Sequence, residues 1–282
     1  MHITAVVCDW GNMEELGSIK SLEDFIKNII DFYSQKSYQK HLFFRGHANE
    51  KYTLLPSIFR KSYNEKDIYL DFMQYAPENN IHYDFIRESD KVLADMQHYG
   101  IPTRLLDWTV NPLIALFFAC TKDDKNEENG RVYVFNPWEY NSKISDYKNS
   151  KNHETNIYAR SLLVYKWNDS EINKHVKEKY LIEYDNSIEK PFAYVSQFTN
   201  KRKVNQRGCF LIYGKDKTPF ENMTEAQPWL NYYTVEKKYK EKILNELNMF
   251  YINDYSVYPD YNGMEKMIKN CGSLFNLNYM KA

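Results

Sequence analysis

Residues 96 to 118 read MQHYGIPTRLLDWTVNPLIALFF, and this stretch carries a turn, a strand and a helix start in immediate succession. Gly100-Ile101-Pro102 is the turn, because Gly and Pro punctuate regular structure. Thr103-Arg104-Leu105-Leu106-Asp107-Trp108 is strand-like. Thr109-Val110-Asn111-Pro112 then opens a helix, since Pro is best tolerated in a first turn. The following Leu113 to Cys120 is apolar nearly all round, which predicts a buried helix. Arg, Asp, Trp and Thr thus meet at a junction between a buried strand and a buried helix. Binding sites on such scaffolds are commonly built that way.

Outward from this stretch, weak alternation over residues 3 to 8 predicts an edge strand. Ser21 is an N-cap candidate for a helix over 21–33, whose apolar residues 22, 25, 26, 29, 30 and 33 recur at helical spacing. A strand is predicted over His41–Arg45, one or two helices over 65–97, and a strand over 131–136. Residues 138–190 are polar and weakly periodic, which suggests a helical insertion. Strands over 192–195 and 209–213 flank the basic link 201–207. A strand over 232–235 leads to a helix from Lys237 to about Asn253. Helices thus precede and interrupt a mixed or antiparallel sheet, giving an α+β class with flanking helices. The domain reading is residues 1–39 packed on a main domain of 40–272, with a tail of 273–282.

With 282 residues, of which 43% are hydrophobic, the chain can bury a large core. Its net charge of -1 argues against bulk electrostatic coating of nucleic acid. The N-terminus lacks a signal-peptide pattern, and no apolar run reaches membrane-spanning length, so a cytoplasmic protein with no membrane partner is expected. The four cysteines are far apart, with no metal-ligand spacing, and no metal is expected. Oligomeric state is not legible.

Several residues combine a chemical function with a structural alternative. Arg45 ends a strand, and Gly46 would let a ligand approach the backbone, so the guanidinium could grip a phosphate. Its other use is pairing with Asp107. His98 is either a catalyst or a satisfied polar residue. Tyr99 and Trp108 could sandwich a flat ring, but with 25 tyrosines an isolated aromatic is a poor marker of a site. Arg104 and Asp107 point to opposite faces of a regular strand, one buried and one open to a cleft. Thr109 could cap the helix after it. The basic link could meet phosphates, or be a solvated face with Gln206 as its sharper member. No P-loop, Rossmann fingerprint, G-x-S-x-G or HExxH is present.

The quoted stretch resembles the signature of the FRG-domain family, bacterial and phage proteins named for a Phe-Arg-Gly motif. That motif stands here as Phe44-Arg45-Gly46-His47. Tyr52 to Arg60, Gly130 to Phe135, Asn205 to Phe210 and Tyr255 to Gly263 extend the resemblance in order. The order of parts also looks like the ADP-ribosyltransferase fold. This implies NAD as substrate, a protein or nucleic-acid acceptor, and a setting in phage defence or toxin biology. On that likeness Arg45, Gly46, Tyr99, Arg104, Trp108 and Thr109 would hold NAD, with Gln206, Asp107 and His98 catalytic. Gln206 stands where such transferases place a Glu, and a neutral amide stabilises a cation less well; Asp107 or Glu236 would then supply the charge. The alternative is a non-catalytic module that binds a nucleotide or nucleic acid.

Overall fold

The computed structural model describes residues 12–36, 42–79, 81–83, 89–121, 128–144, 190–195 and 201–271. Strand β1 (Glu15–Ile19) and helix α1 (Leu22–Lys36) come first, with Ser21 Oγ accepting the Asp24 N–H at 3.1 Å as the N-cap. β2 (Phe43–His47), α2 (Glu65–Tyr75), α3 (Ser89–His98), β3 (Leu105–Thr109) and α4 (Pro112–Cys120) follow. Then come β4 (Gly130–Phe135), α5 (Pro137–Ile144), β5 (Phe192–Tyr194), α6 (Lys201–Gln206) and β6 (Gly208–Ile212). β7 (Leu230–Val235), α7 (Lys240–Met249), α8 (Asp254–Val257) and α9 (Tyr261–Cys271) complete the order. The expected strand over 3–8 lies outside the described residues, as does most of the expected insertion. No helix among the described residues is long and apolar enough to cross a membrane.

The strands form one mixed sheet in the order β1-β7-β4-β2-β3-β6-β5. Among the described strands, only β1 and β7 run parallel. The α+β expectation holds. Pairing is uneven across the middle of this sheet. β2 and β4 share five register pairs, as do β3 and β6, but β2 and β3 are paired only at Phe44 and Thr109. The sheet is therefore two halves joined at a narrow seam.

Alternate residues of a strand share a face, and the register assigns the layers. Phe44, Val132, Val134, Tyr233 and Val235 pack with α1, α4 and α7 over one half. Leu105, Phe210 and Ile212, on the same face by register, pack with α2 and α3 over the other half. The opposite face is covered continuously by Leu54, Tyr140, Tyr213, Phe220 and Met223. The two helix layers thus flank a gap above the seam, and the opposite side is sealed.

Helix α4 is set by its own sequence. Asn111 is the N-cap, accepting from Leu113 N at 3.0 Å, and Pro112 occupies the first turn. Thr109 is therefore not the cap: its hydroxyl accepts from Asn111 N at 2.9 Å and donates to the Gln206 carbonyl at 2.6 Å. The helix buries Ile114, Leu116 and Phe117, each worth about 1.5–3 kcal/mol. Gly46 makes this close packing possible, since a Cβ there would lie 1.9 Å from the Ala115 carbonyl oxygen. The close approach at Gly46 is that of a helix backbone. The strand after the turn begins at Leu105 rather than Thr103, because the Thr103 hydroxyl accepts the Leu105 N–H at 3.1 Å.

Candidate functional site

A cleft of about 250 Å³ lies above the seam, between the two helix layers. Gly46, Asp107, Thr109 and Phe210 come from the strands below it. Gln97 and His98 reach in from the end of α3, and Phe118 from α4. Arg202, Lys203 and Gln206 come from α6, and Tyr258 from the end of α8. Arg45 and Trp108 also line it. Seven of the residues singled out from the sequence are thereby brought together: Arg45, Gly46, His98, Asp107, Trp108, Thr109 and Gln206.

Arg45 is half-buried at the seam. Its Nη1 donates to the Asp107 backbone carbonyl, and its Nε donates to His47 Nε2 at 2.9 Å. Arg45 is thus tied to Asp107 through the main chain and not through the carboxylate. Burial pushes its pKa down while the Asp107 charge opposes this; a guanidinium keeps its charge all the same. His47 Nδ1 lies 3.2 Å from the Tyr52 carbonyl. With Nε2 accepting from Arg45, the proton must sit on Nδ1 and the ring is neutral. Burial first, then the cations Arg45, Arg60 and Arg131, hold the His47 pKa well below the ordinary value.

This has a measurable consequence. Below about pH 6.5 the unfolded chain takes up a proton that folded His47 refuses, so stability falls as pH falls. The loss reaches about 2 kcal/mol by pH 5 if His47 stays neutral to that point. His47→Gln keeps an acceptor without this titration. Urea unfolding should show the gap between wild type and this variant narrowing from pH 7 to pH 5. A constant gap would mean that His47 is protonated in the fold.

His98 is half-buried in the cleft wall. Burial, followed by the charges of Arg202 and Lys203 against those of Asp95 and Asp260, lowers its pKa, leaving it able to accept a proton near neutrality. Tyr99 leans edge-on against it from outside, at 5.1 Å between ring centres, and is 62% exposed. It does not line the cleft. Trp108 packs its ring against Phe135 and Phe220 on the sealed face. These two rings therefore do not form the expected sandwich; they lie on opposite sides of the sheet. The rings that line the cleft from its own face are Phe118 and Tyr258, edge to face at 6.1 Å, together with Phe44 and Phe210.

Arg104 is corrected as a ligand contact. It is 1% exposed and grips Glu65 with two hydrogen bonds of 2.6 and 2.5 Å, while Nη1 donates to the Tyr213 carbonyl at 3.1 Å. Asp107, its neighbour on the strand, is exposed as the opposite-face argument required. Gln206 lines the cleft, but its Nε2 donates to the Val257 carbonyl at 3.1 Å, tying α6 to α8. Glu236 is remote from the cleft, accepting from Ser18 at 2.9 Å and pairing with Lys238 at 2.8 Å. Asp107 is the one carboxylate lining the cleft among the described residues.

The basic link is a short helix with two faces. Lys201, Val204 and Asn205 are exposed. Arg202 lies 4.7 Å above the Tyr258 ring, and Lys203 is buried 5.7 Å from that of Phe210. Arg207, at φ 49°, ends the helix in the left-handed region and turns the chain into β6. Gln97, Phe118 and Tyr258 were not singled out from sequence. Gln97 precedes His98 in the decisive stretch, and that adjacency was its only signal.

No curated protein and no solved structure matches the chain. Residues 40–128 match the model of the FRG domain. That range holds β2 with its Phe-Arg-Gly motif, the end of α3, β3 and α4, which supply Arg45, Gln97, His98, Asp107 and Phe118 to the cleft. Over that range the chain is similar to the FRG domain.

Proposed function

We propose that the cleft takes NAD and that the protein is an ADP-ribosyltransferase-like enzyme. The observation that carries this reading is the convergence of Arg202 and Lys203 with four aromatic rings and one carboxylate in a single cleft, over the seam that the Arg45 side chain spans from the other face. Cations at that density suit a pyrophosphate, and the rings suit a flat heterocycle. Asp107 replaces Gln206 as the group that stabilises the oxocarbenium-like transition state. In the step itself the bond from the ribose C1 to the nicotinamide nitrogen breaks, and its electron pair neutralises the ring. The oxygen of water or an acceptor hydroxyl bonds to C1 and passes its proton to His98. The enclosed 250 Å³ is below the roughly 300–1,000 Å³ of pockets for drug-sized ligands. One half of NAD therefore sits inside and the other at the mouth. The setting belonging to this reading is cytoplasmic, in phage defence or toxin biology.

The test is nicotinamide release from NAD, and transfer of labelled ADP-ribose, with protein and nucleic-acid acceptors present. Wild type should turn over, and Arg45→Ala should lose about 10²-fold or more. Arg45→Lys, which keeps the charge, separates loss of anion binding from disturbance of the seam. Saturable nucleotide binding without turnover would replace the enzyme with a sensing module. The bonding of the Gln206 amide nitrogen to Val257, which occupies that donor, favours the second reading.

A further inference from the structure

We propose that Gln97, held by Thr103, is a positioning residue that fixes the Asp107 carboxylate with one oxygen turned to the ligand; this rests on the NAD reading above. Thr103 is fully buried. Its Oγ1 accepts the Leu105 N–H at 3.1 Å, so its own hydrogen is directed to Gln97 Oε1, 2.5 Å away. An amide whose oxygen is engaged in this way must turn its nitrogen to the other side. There Nε2 lies 2.8 Å from Asp107 Oδ2 and 3.4 Å from the Leu105 carbonyl. The chain of donors runs in one direction only, from the Thr103 hydroxyl to the Gln97 amide to the Asp107 carboxylate. It requires Oδ2 to be an acceptor. Oδ1 makes no hydrogen bond to the described residues and is left for a ligand donor or a developing positive charge.

The cleft gives this chain something to oppose. Asp107 is an exposed carboxylate among Arg45, Arg202 and Lys203. A mobile carboxylate in that company would turn to the nearest cation and form an ion pair. It would then be lost as a stabiliser, and that cation would be lost as an anion binder. Gln97 holds the carboxylate apart without neutralising it. The hold is anchored well away from the ligand: the Thr103 N–H donates to Ser57 Oγ at 3.3 Å, and its carbonyl accepts from Ile58 N at 3.3 Å. Next to it, Arg104 is locked to Glu65. The segment around residues 57 to 65 therefore sets the direction of a cleft oxygen that it does not touch.

The experiment measures kcat and KM for nicotinamide release from NAD, with melting temperature alongside, for Thr103→Val, Thr103→Ser and Gln97→Met. Thr103→Val keeps the shape and removes the hydroxyl; Gln97→Met keeps the length and removes the amide. Each is expected to lower kcat about tenfold with KM within about twofold. Thr103→Ser, which restores the donor, should keep wild-type kcat. Unchanged kcat in both Gln97→Met and Thr103→Val overturns the inference and leaves the NAD reading standing. Equal loss in Thr103→Val and Thr103→Ser, following melting temperature, with Gln97→Met unaffected, overturns it as well and assigns Thr103 to packing. Should Thr103→Val fail to fold, Gln97→Met decides alone. Wild-type protein that releases no nicotinamide overturns the reading and this inference with it.

Discussion

Asp107→Asn is expected to lower nicotinamide release about 10²- to 10³-fold, the scale seen when a single group stabilising transition-state charge is removed. Charge is the first reason, because a neutral amide opposes an oxocarbenium-like centre poorly. The second reason is geometric. Gln97 presents an N–H to residue 107, so an Asn there must turn its own oxygen toward Gln97. Its NH₂ group then faces the ligand, a donor where an acceptor is needed. The side chain is exposed, so the cost to folding should stay within about 0.5 kcal/mol. A melting curve matching wild type, with release reduced at saturating NAD, is the expected pair of results. Full activity in Asp107→Asn would remove Asp107 from the chemistry.

Arg104→Leu is expected to be the most damaging change to stability, at about 3–5 kcal/mol. The Glu65 carboxylate is 2% exposed and would keep its burial while losing the guanidinium that balances its charge. Against a typical domain stability of about 5–15 kcal/mol, that removes about a fifth of the reserve at the least. The Tyr213 carbonyl also loses a donor. Replacing both partners, as Arg104→Leu with Glu65→Leu, removes the stranded charge and should recover most of the loss. Urea unfolding checks this through the transition midpoints at constant slope. A single variant as stable as wild type would mean that Glu65 takes up a proton at little cost.

The elements were legible wherever a local cause sets them. The Gly-Ile-Pro turn, the Asn111-Pro112 helix start and the Ser21 cap act within a few residues, and each is found where the sequence put it. Functional residues were legible when their neighbours fixed their exposure, as with Asp107 opposite Arg104 on one strand. The misses have distant causes. Arg104 is claimed by Glu65, 39 residues earlier, and nothing near either residue announces the pair. Tyr99 and Trp108 are separated by the sheet itself, whose sidedness depends on pairing with β6. Gln206 lines the cleft with its amide nitrogen already engaged by a carbonyl 51 residues later. The basic link looked like a solvated run because a charge count does not reveal that Arg202 and Lys203 share an inward face.

The narrow seam carries a consequence for what can replace Arg45. Where a regular ladder would continue between β2 and β3, one side chain spans the gap to the Asp107 carbonyl and is braced from behind by His47. The guanidinium is therefore a rivet in the scaffold, and on the proposed reading it would also be a cation for the ligand, two duties that could not be assigned to different residues. Lysine could supply the charge but not a rigid fork that reaches two acceptors at once. A ligand drawing on Arg45 would clamp the halves of the sheet together, so occupancy should be felt as rigidity across the whole plate and not only at its rim.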